Sequence, residues 1–443
     1  MKKLTSRPRM MLYAVSGIGI NMLNLMMGSY LCSALLVGGF AENVIPYQTF
    51  AGKDLVIAGV WSVFVLVAKI IDGVIDVPMA SFTDQLKSRW GRRRPSLVIG
   101  LAPMIAAYVL FILGPKGEPT LGTTIYYGVV LCVFYSFYTL TMVTYYATYT
   151  EIVENEQQRG LISNTKSVCD IVYFILGYVG VRMLLNGMNI QKVGLIVLPL
   201  AATMLIPLFM IKEPSNLDGK GEKAAGNVGL FASLRHTFKN RAFIKWMVVY
   251  SFMTFGVQLF LGGINEYFSF VGMSMIYVML AAFAPVPFTL MLYNRLIKKR
   301  GFGFAFRYTL ITFSAGMIAM FLVGLMGQGM SKTILSIVTG LISSFAIGAL
   351  FSVAYSIPSQ LAAEEEEKTG VANSAMYFAV QGLFAGVATG IATGIVLVAL
   401  KGREGDNSDA IKYMTAISAL GTLAALALTC CLPRSLLTLG QKE

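Results

Sequence analysis

Three ionisable residues stand inside an otherwise apolar run. Lys69, Asp72 and Asp76 fall in the stretch KIIDGVID at 69–76, and the basic turn SRWGRRRP follows at 88–95. Their spacing of i, i+3, i+7 places all three on one helical stripe. A charge at membrane depth costs about 2.5–3.5 kcal/mol on insertion scales, so such residues are rare and usually functional. Two carboxylates one turn apart repel each other unless a cation or a proton sits between them. The chemistry on offer is reversible binding of a proton or a hard monovalent cation. The competing reading is that Lys69 neutralises Asp72 as a structural pair.

The elements that would position these residues are transmembrane helices. The chain has 443 residues, 56% hydrophobic and only 13% charged, with a mean hydropathy of +0.69. Ordinary soluble domains carry about 25% charged residues, so a polytopic membrane protein is expected. Apolar runs of the ~20 residues that a bilayer needs occur near 11–35, 56–82, 96–114, 121–147, 166–187 and 190–211. Six more occur near 242–266, 271–297, 305–327, 332–357, 373–400 and 410–432. Between the sets lies a polar stretch with the composition of a solvated linker. The expected organisation is a six-helix bundle at 1–211, a cytoplasmic linker at 212–240 and a second bundle at 241–443.

Most of the 35 lysines and arginines fall in segments that share one side if both termini are cytoplasmic, which sets that orientation. The net charge of +13 is then the positive-inside bias facing anionic lipid and calls for no nucleic acid. The basic N-terminus shows no small-residue cleavage site and reads as an uncleaved first helix. The five cysteines have no metal or disulfide spacing, and the only histidine is His236. No metal-ligand set, nucleophile–base constellation or P-loop is present, so neither an enzyme nor an ATP-driven pump is expected. No cofactor is expected.

A repeat supports the six-plus-six division. Asp84 to Gly91 after the second helix, and Asn294 to Gly301 after the eighth, each set an acid or amide seven residues before a glycine, with basic residues between. Two duplicated halves would leave such a pair.

The motifs resemble a known family. The loop pattern D-x-x-x-x-[KR]-x-G-[RK] is similar to the signature of the major facilitator superfamily. The longer pattern of Asp72, Asp76, Pro78, Met79, Thr83, Asp84, Arg89-Trp90-Gly91-Arg92-Arg93-Arg94-Pro95 resembles the glycoside–pentoside–hexuronide:cation symporters, the melibiose permease family. Looser matches are Tyr138-Thr139, Tyr145-Tyr146-Ala147, Thr150-Glu151-Ile152, Arg159, Lys166 and Lys368-Thr369-Gly370.

The resemblance implies an all-α fold of twelve transmembrane helices and a secondary transporter working by alternating access. The coupling ion would be H⁺ or Na⁺ and the solute a glycoside or a related small molecule. By it, Asp72 and Asp76 match the family's two second-helix carboxylates, and Thr139 its fourth-helix hydroxyl ligand. Lys69 matches its basic residue one turn earlier. The family's Asn before the second carboxylate is Ile75 here, which removes a neutral oxygen and leaves both ions open. The family's sugar contacts are an Asp on the first helix, an Asp on the fourth and a Lys on the eleventh; they fall on Gly17, Met142 and Gly386. What remains for a solute is Tyr146 at the aromatic platform, Lys166 near the family's Arg, Gln381 on the eleventh helix, and Lys69. For Tyr146 ordinary helix packing is an equal reading.

With those groups gone, melibiose is not the expected cargo. A larger, less hydroxylated or negatively charged solute is, and a lipid-like or organic-anion cargo, or a uniporter without ion coupling, stands as the alternative. Asp84, Arg89, Gly91, Arg92 and Arg94 read either as a solvated positive-inside loop or as a gate closing on Glu151, Glu154 and Glu156. Asp170 and Arg182 on the fifth helix, and Glu266 on the seventh, read as ion pairs or cavity groups. The expected partners are the solute, the coupling cation and the bilayer of a bacterial inner membrane, with the chain a monomer.

Overall fold

Lipid offers no partner to a backbone N–H or C=O, so a spanning segment must satisfy its hydrogen bonds internally. The chain does this with helices throughout the described residues. The computed structural model describes residues 6–37, 46–152, 156–215, 217, 237–369, 374–401 and 409–437. The helices of the first half are α1 (Arg7–Leu35), α2 (58–85), α3 (Arg93–Ile112), α4 (Leu121–Glu151), α5 (156–185) and α6 (Ile190–Met210). Those of the second half are α7 (241–271), α8 (275–300), α9 (302–324), α10 (Met330–Thr369), α11 (374–401) and α12 (Asp409–Cys431).

Ten helical stretches are long and apolar enough to cross a membrane by length and composition, with Val286–Gly324 taken as one. Gly301, at φ 80° and ψ 166°, divides that stretch into the end of α8 and all of α9. Helix α2 is interrupted at Ile75 into pieces of 17 and 10 residues. The architecture is the expected twelve-helix one. Contacts divide it into two compact units: the described residues of Met1–Leu36 and Pro46–Asn227, and those of Val37–Ile45 and Val228–Glu443.

Both units carry the same local devices. Gly91, between α2 and α3, and Gly301, between α8 and α9, each have φ of 80°. That left-handed conformation costs a residue with a Cβ about 1–2 kcal/mol, which accounts for glycine at the end of both repeated loops. Helix α5 widens into a π-helical turn at Leu176–Gly180, and α11 does so at Ile391–Val396. Such turns leave carbonyls that the i→i+4 ladder does not use. In the first unit the Tyr30 hydroxyl, itself in a π-helical turn of α1, donates to the Gly177 carbonyl at 2.8 Å.

The second unit holds a buried ion pair. Glu266 on α7 and Lys401 on α11 meet at 2.7 Å with side chains 7% and 3% exposed. The buried Lys332 at the start of α10 donates to the carbonyls of Val271 at 2.6 Å and Met326 at 2.9 Å. A cation thus answers carbonyls left over at the ends of α7 and α9.

Candidate functional site

Pro78 explains the break in α2. It has no N–H to give the carbonyl of Val74, and its ring crowds that carbonyl. The helix stops at Val74 and restarts at Asp76, with Ile75 between them. Asp76 therefore opens a new helical segment, where backbone N–H groups favour negative charge.

One turn earlier, Asp72 has two partners. Its Oδ1 accepts a hydrogen bond from the Thr139 hydroxyl of α4 at 2.8 Å. Its Oδ2 lies 3.7 Å from the Lys69 ammonium. Lys69 in turn stands 3.6 Å over the ring of Tyr135, also on α4. Asp76 lies within electrostatic reach of Asp72 and has no hydrogen-bond or ion-pair partner among the described residues. One lysine faces two aspartates, so the group would carry one negative charge in excess with both carboxylates ionised. The structure thus brings together Lys69, Asp72 and Thr139, and Lys69 is placed as a partner of Asp72.

A second polar group lies further along α4. Tyr135, Thr139, Met142 and Tyr146 follow one another at i, i+4, i+7 and i+11, on one stripe of that helix. Lys166 Nζ of α5 stands 5.3 Å over the Tyr146 ring and 2.7 Å from Asp170 Oδ2. The lysine that sequence offers to an anionic solute is already neutralised. Tyr146 is 36% exposed, which leaves part of its ring open while its edge packs on Tyr145 at 5.4 Å.

The position of the missing first-helix carboxylate is filled. Tyr13 and Tyr145 stack at 5.0 Å and 7°. The Tyr13 hydroxyl donates to the Tyr145 carbonyl at 2.8 Å, and the Tyr145 hydroxyl donates to the Tyr13 carbonyl at 2.9 Å. A Cβ at Gly17 would already stand 3.3 Å from the Tyr145 ring. Gln381 lies in the second unit, buried, where its amide oxygen accepts from Trp246 Nε1 at 3.1 Å.

The basic turn is organised by a residue that sequence placed in the linker. Glu213, just past α6, accepts from the Arg93 backbone N–H at 2.8 Å and so caps α3. Its side chain fills the notch over Gly91, where any Cβ would overlap it. Arg93 Nη1 donates to Thr83 Oγ1 at 3.1 Å, and Arg94 Nε donates to the Leu208 carbonyl at 2.8 Å. Arg94 thus closes the last turn of α6. Arg89 is exposed and Arg92 half-buried. The side chains of Asp84, Glu151 and Glu156, and Glu154 entirely, lie outside the described residues. Glu213 and Tyr135 were not singled out from sequence. The Glu-Pro pair that ends α6 is a signal that would have found the first; an aromatic one turn before Thr139 would have found the second.

The MFS/sugar transport protein family matches residues 12–432. The chain belongs to that family. The match to this major facilitator family spans nearly the whole sequence and agrees with the resemblance carried by the α2 motif. Solved structures of the same fold include the nucleoside transporter NupG, with a TM-score of 0.62 and 13% identity over 97% of this chain and 98% of that one. A D-xylose-proton symporter gives 0.63 and 15% over 98% and 99%. A bacterial homolog of the human lysosomal transporter Spinster gives 0.58 and 14% over 98% of each. No curated protein sequence matches the chain. As a member of the MFS/sugar transport family the protein is a secondary transporter of a small molecule, not an enzyme.

Proposed function

We propose that this transporter is a cation-coupled symporter, taking one H⁺ or Na⁺ at Asp72, Asp76 and Thr139 together with a glycoside or related small solute. The observation that carries the reading is the charge of the α2 group. Lys69 is paired to Asp72, while Asp76 faces no counter-charge among the described residues. An ionised carboxylate at membrane depth is costly unless it is compensated. One monovalent cation, or one proton on Asp76, brings the group to neutrality. Asp72, Asp76 and the Thr139 hydroxyl offer the hard oxygens that Na⁺ prefers, while Ile75 offers none, so a proton suits the site as well.

Coupling then follows from α4. The helix that gives Thr139 to the cation group gives Tyr146 to the Lys166 group, so the state of one is felt by the other through one rigid rod. Alternating access would expose that rod to each side in turn. The test is uptake into proteoliposomes under imposed Na⁺ or proton gradients. Wild type should accumulate solute uphill with one of the two gradients. Asp72→Asn and Asp76→Asn should not, while solute exchange at equilibrium survives. Uphill accumulation by both variants sinks the assignment.

A further inference from the structure

The α5 face that carries Lys166 holds a carboxylate with no counterpart among the residues carried over by the resemblance. Asp170 lies one turn beyond Lys166, inside the apolar stretch Val168–Leu185. The two side chains meet at 2.7 Å and are 18% and 20% exposed. Stabilisation of α5 does not account for them. A pair at this spacing adds about 0.2–0.5 kcal/mol to a helix, and Lys before Asp is the less favourable order. A charge at membrane depth costs several times that. The surroundings are aromatic and polar. Tyr146 offers an open ring below Lys166. Tyr138 and Tyr173 lie within electrostatic reach of each other, and Tyr173 within reach of Asp170. The Tyr138 hydroxyl donates to Asn21 Oδ1 of α1 at 3.4 Å. All six residues belong to the first unit.

We propose that Asp170 is a solute-binding carboxylate, and that the Lys166–Asp170 pair over Tyr146 selects a neutral glycoside rather than an anion. This deepens the symporter reading and rests on it for the glycoside class of the solute. The pair has no net charge, so an anionic solute would gain from Lys166 and lose to Asp170 at nearly the same distance. A hydroxyl bridges both, donating to the carboxylate and accepting from the ammonium. The apolar face of a sugar, or an aromatic aglycone, lies on the Tyr146 ring. The carboxylate absent at Gly17 and Met142 is thus returned from α5. The Tyr145 ring that fills the space beside Gly17 makes that relocation necessary.

Matched probes decide it. Nitrophenyl glucosides and galactosides of both anomers are each compared with the corresponding uronide, which adds one carboxylate to the same ring. Equilibrium binding to the purified full chain is measured at fixed pH and Na⁺. At least one neutral glycoside should bind at least tenfold tighter than its uronide. Asp170→Asn should weaken that glycoside at least tenfold and strengthen the uronide, reversing the preference, since Lys166 is then unneutralised. Asp170→Glu should restore the original order. A merely structural carboxylate would lower both affinities together. The proposal is overturned by tighter uronide binding to wild type, by an equal loss of both probes in Asp170→Asn, or by no glycoside binding to the folded wild type. Asp76→Asn, scored for ion dependence of binding, separates the two claims. An unchanged charge preference in Asp170→Asn is a failure of this proposal alone, and an unchanged ion dependence in Asp76→Asn a failure of the symporter reading alone.

Discussion

Asp72 and Asp76 are the same residue type one turn apart, and the structure holds them differently. Asp72 has Thr139 and Lys69; Asp76 has neither. Replacing Asp76 by Asn should therefore cost coupling with little change in stability. Replacing Asp72 should cost coupling and also strip Lys69 of its counter-charge, lowering the unfolding temperature of the purified protein below that of Asp76→Asn. Equal unfolding temperatures would show that Lys69 does not depend on Asp72. At Gly17 the expectation concerns space. Restoring a carboxylate with Gly17→Asp should not create melibiose uptake, because the Tyr145 ring stands 3.3 Å from the first atom of any side chain there. It should instead disturb the reciprocal Tyr13–Tyr145 hydrogen bonds and lower the unfolding temperature. Robust melibiose uptake by this variant in a transport-deficient host would refute the steric account.

Elements meet through a few charged contacts. Glu213 joins the end of α6 to the start of α3 and fills the notch above Gly91. Loss of a helix cap costs about 0.5–2 kcal/mol, so Glu213→Ala should destabilise by an amount of that order. Gly91→Ala adds the left-handed backbone penalty of about 1–2 kcal/mol to the overlap with Glu213. The double variant relieves the overlap and keeps the backbone cost, so the two effects should be less than additive. Strict additivity in thermal unfolding would show that Glu213 is free to move away. In the second unit, Lys401→Met leaves Glu266 buried without its partner, which is expected to cost about 3–5 kcal/mol. Removing both charges with Glu266→Leu as well should recover most of it. A double variant as unstable as the single would mean that the pair orders α7 and α11 by something other than charge.

At the scale of the whole molecule, the two units share local devices. The left-handed glycines at 91 and 301 and the π-helical turns of α5 and α11 recur at matching places, although little of the amino-acid sequence does. The positive-inside rule predicts that both repeated loops face the cytoplasm. Single cysteines introduced at Arg89 and Lys299 of a cysteine-free background should both be labelled by an impermeant reagent from the cytoplasmic side. Labelling from opposite sides would break the orientation. If the basic turn also gates, neutralising Arg89 and Arg92 together should slow transport and raise cytoplasmic accessibility of the solute site. The shift should be modest, since exposed ion pairs are each worth about 0–1 kcal/mol.

Helix number and the α2 charges were legible in the sequence because hydrophobic runs and rare buried charges act locally: each can be read within about 20 residues. The family followed from the same stretch, since Asp72, Asp76 and the Arg89–Pro95 turn are close in the chain. Thr139 reaches Asp72 across 67 positions, and that contact was legible only through the family resemblance. Glu213 reaches Arg93 across 120 positions and Tyr145 reaches Tyr13 across 132, and those pairings were not legible because each joins residues far apart. Composition says that Lys166 is a cation; only the helical turn that sets it against Asp170 says that its charge is spent. Sequence offered Lys69 as a partner for Asp72, and the tertiary structure, with α4 packed beside the break that Pro78 forces at Ile75, added Thr139 to Asp72 and gave Asp76 no such partner among the described residues.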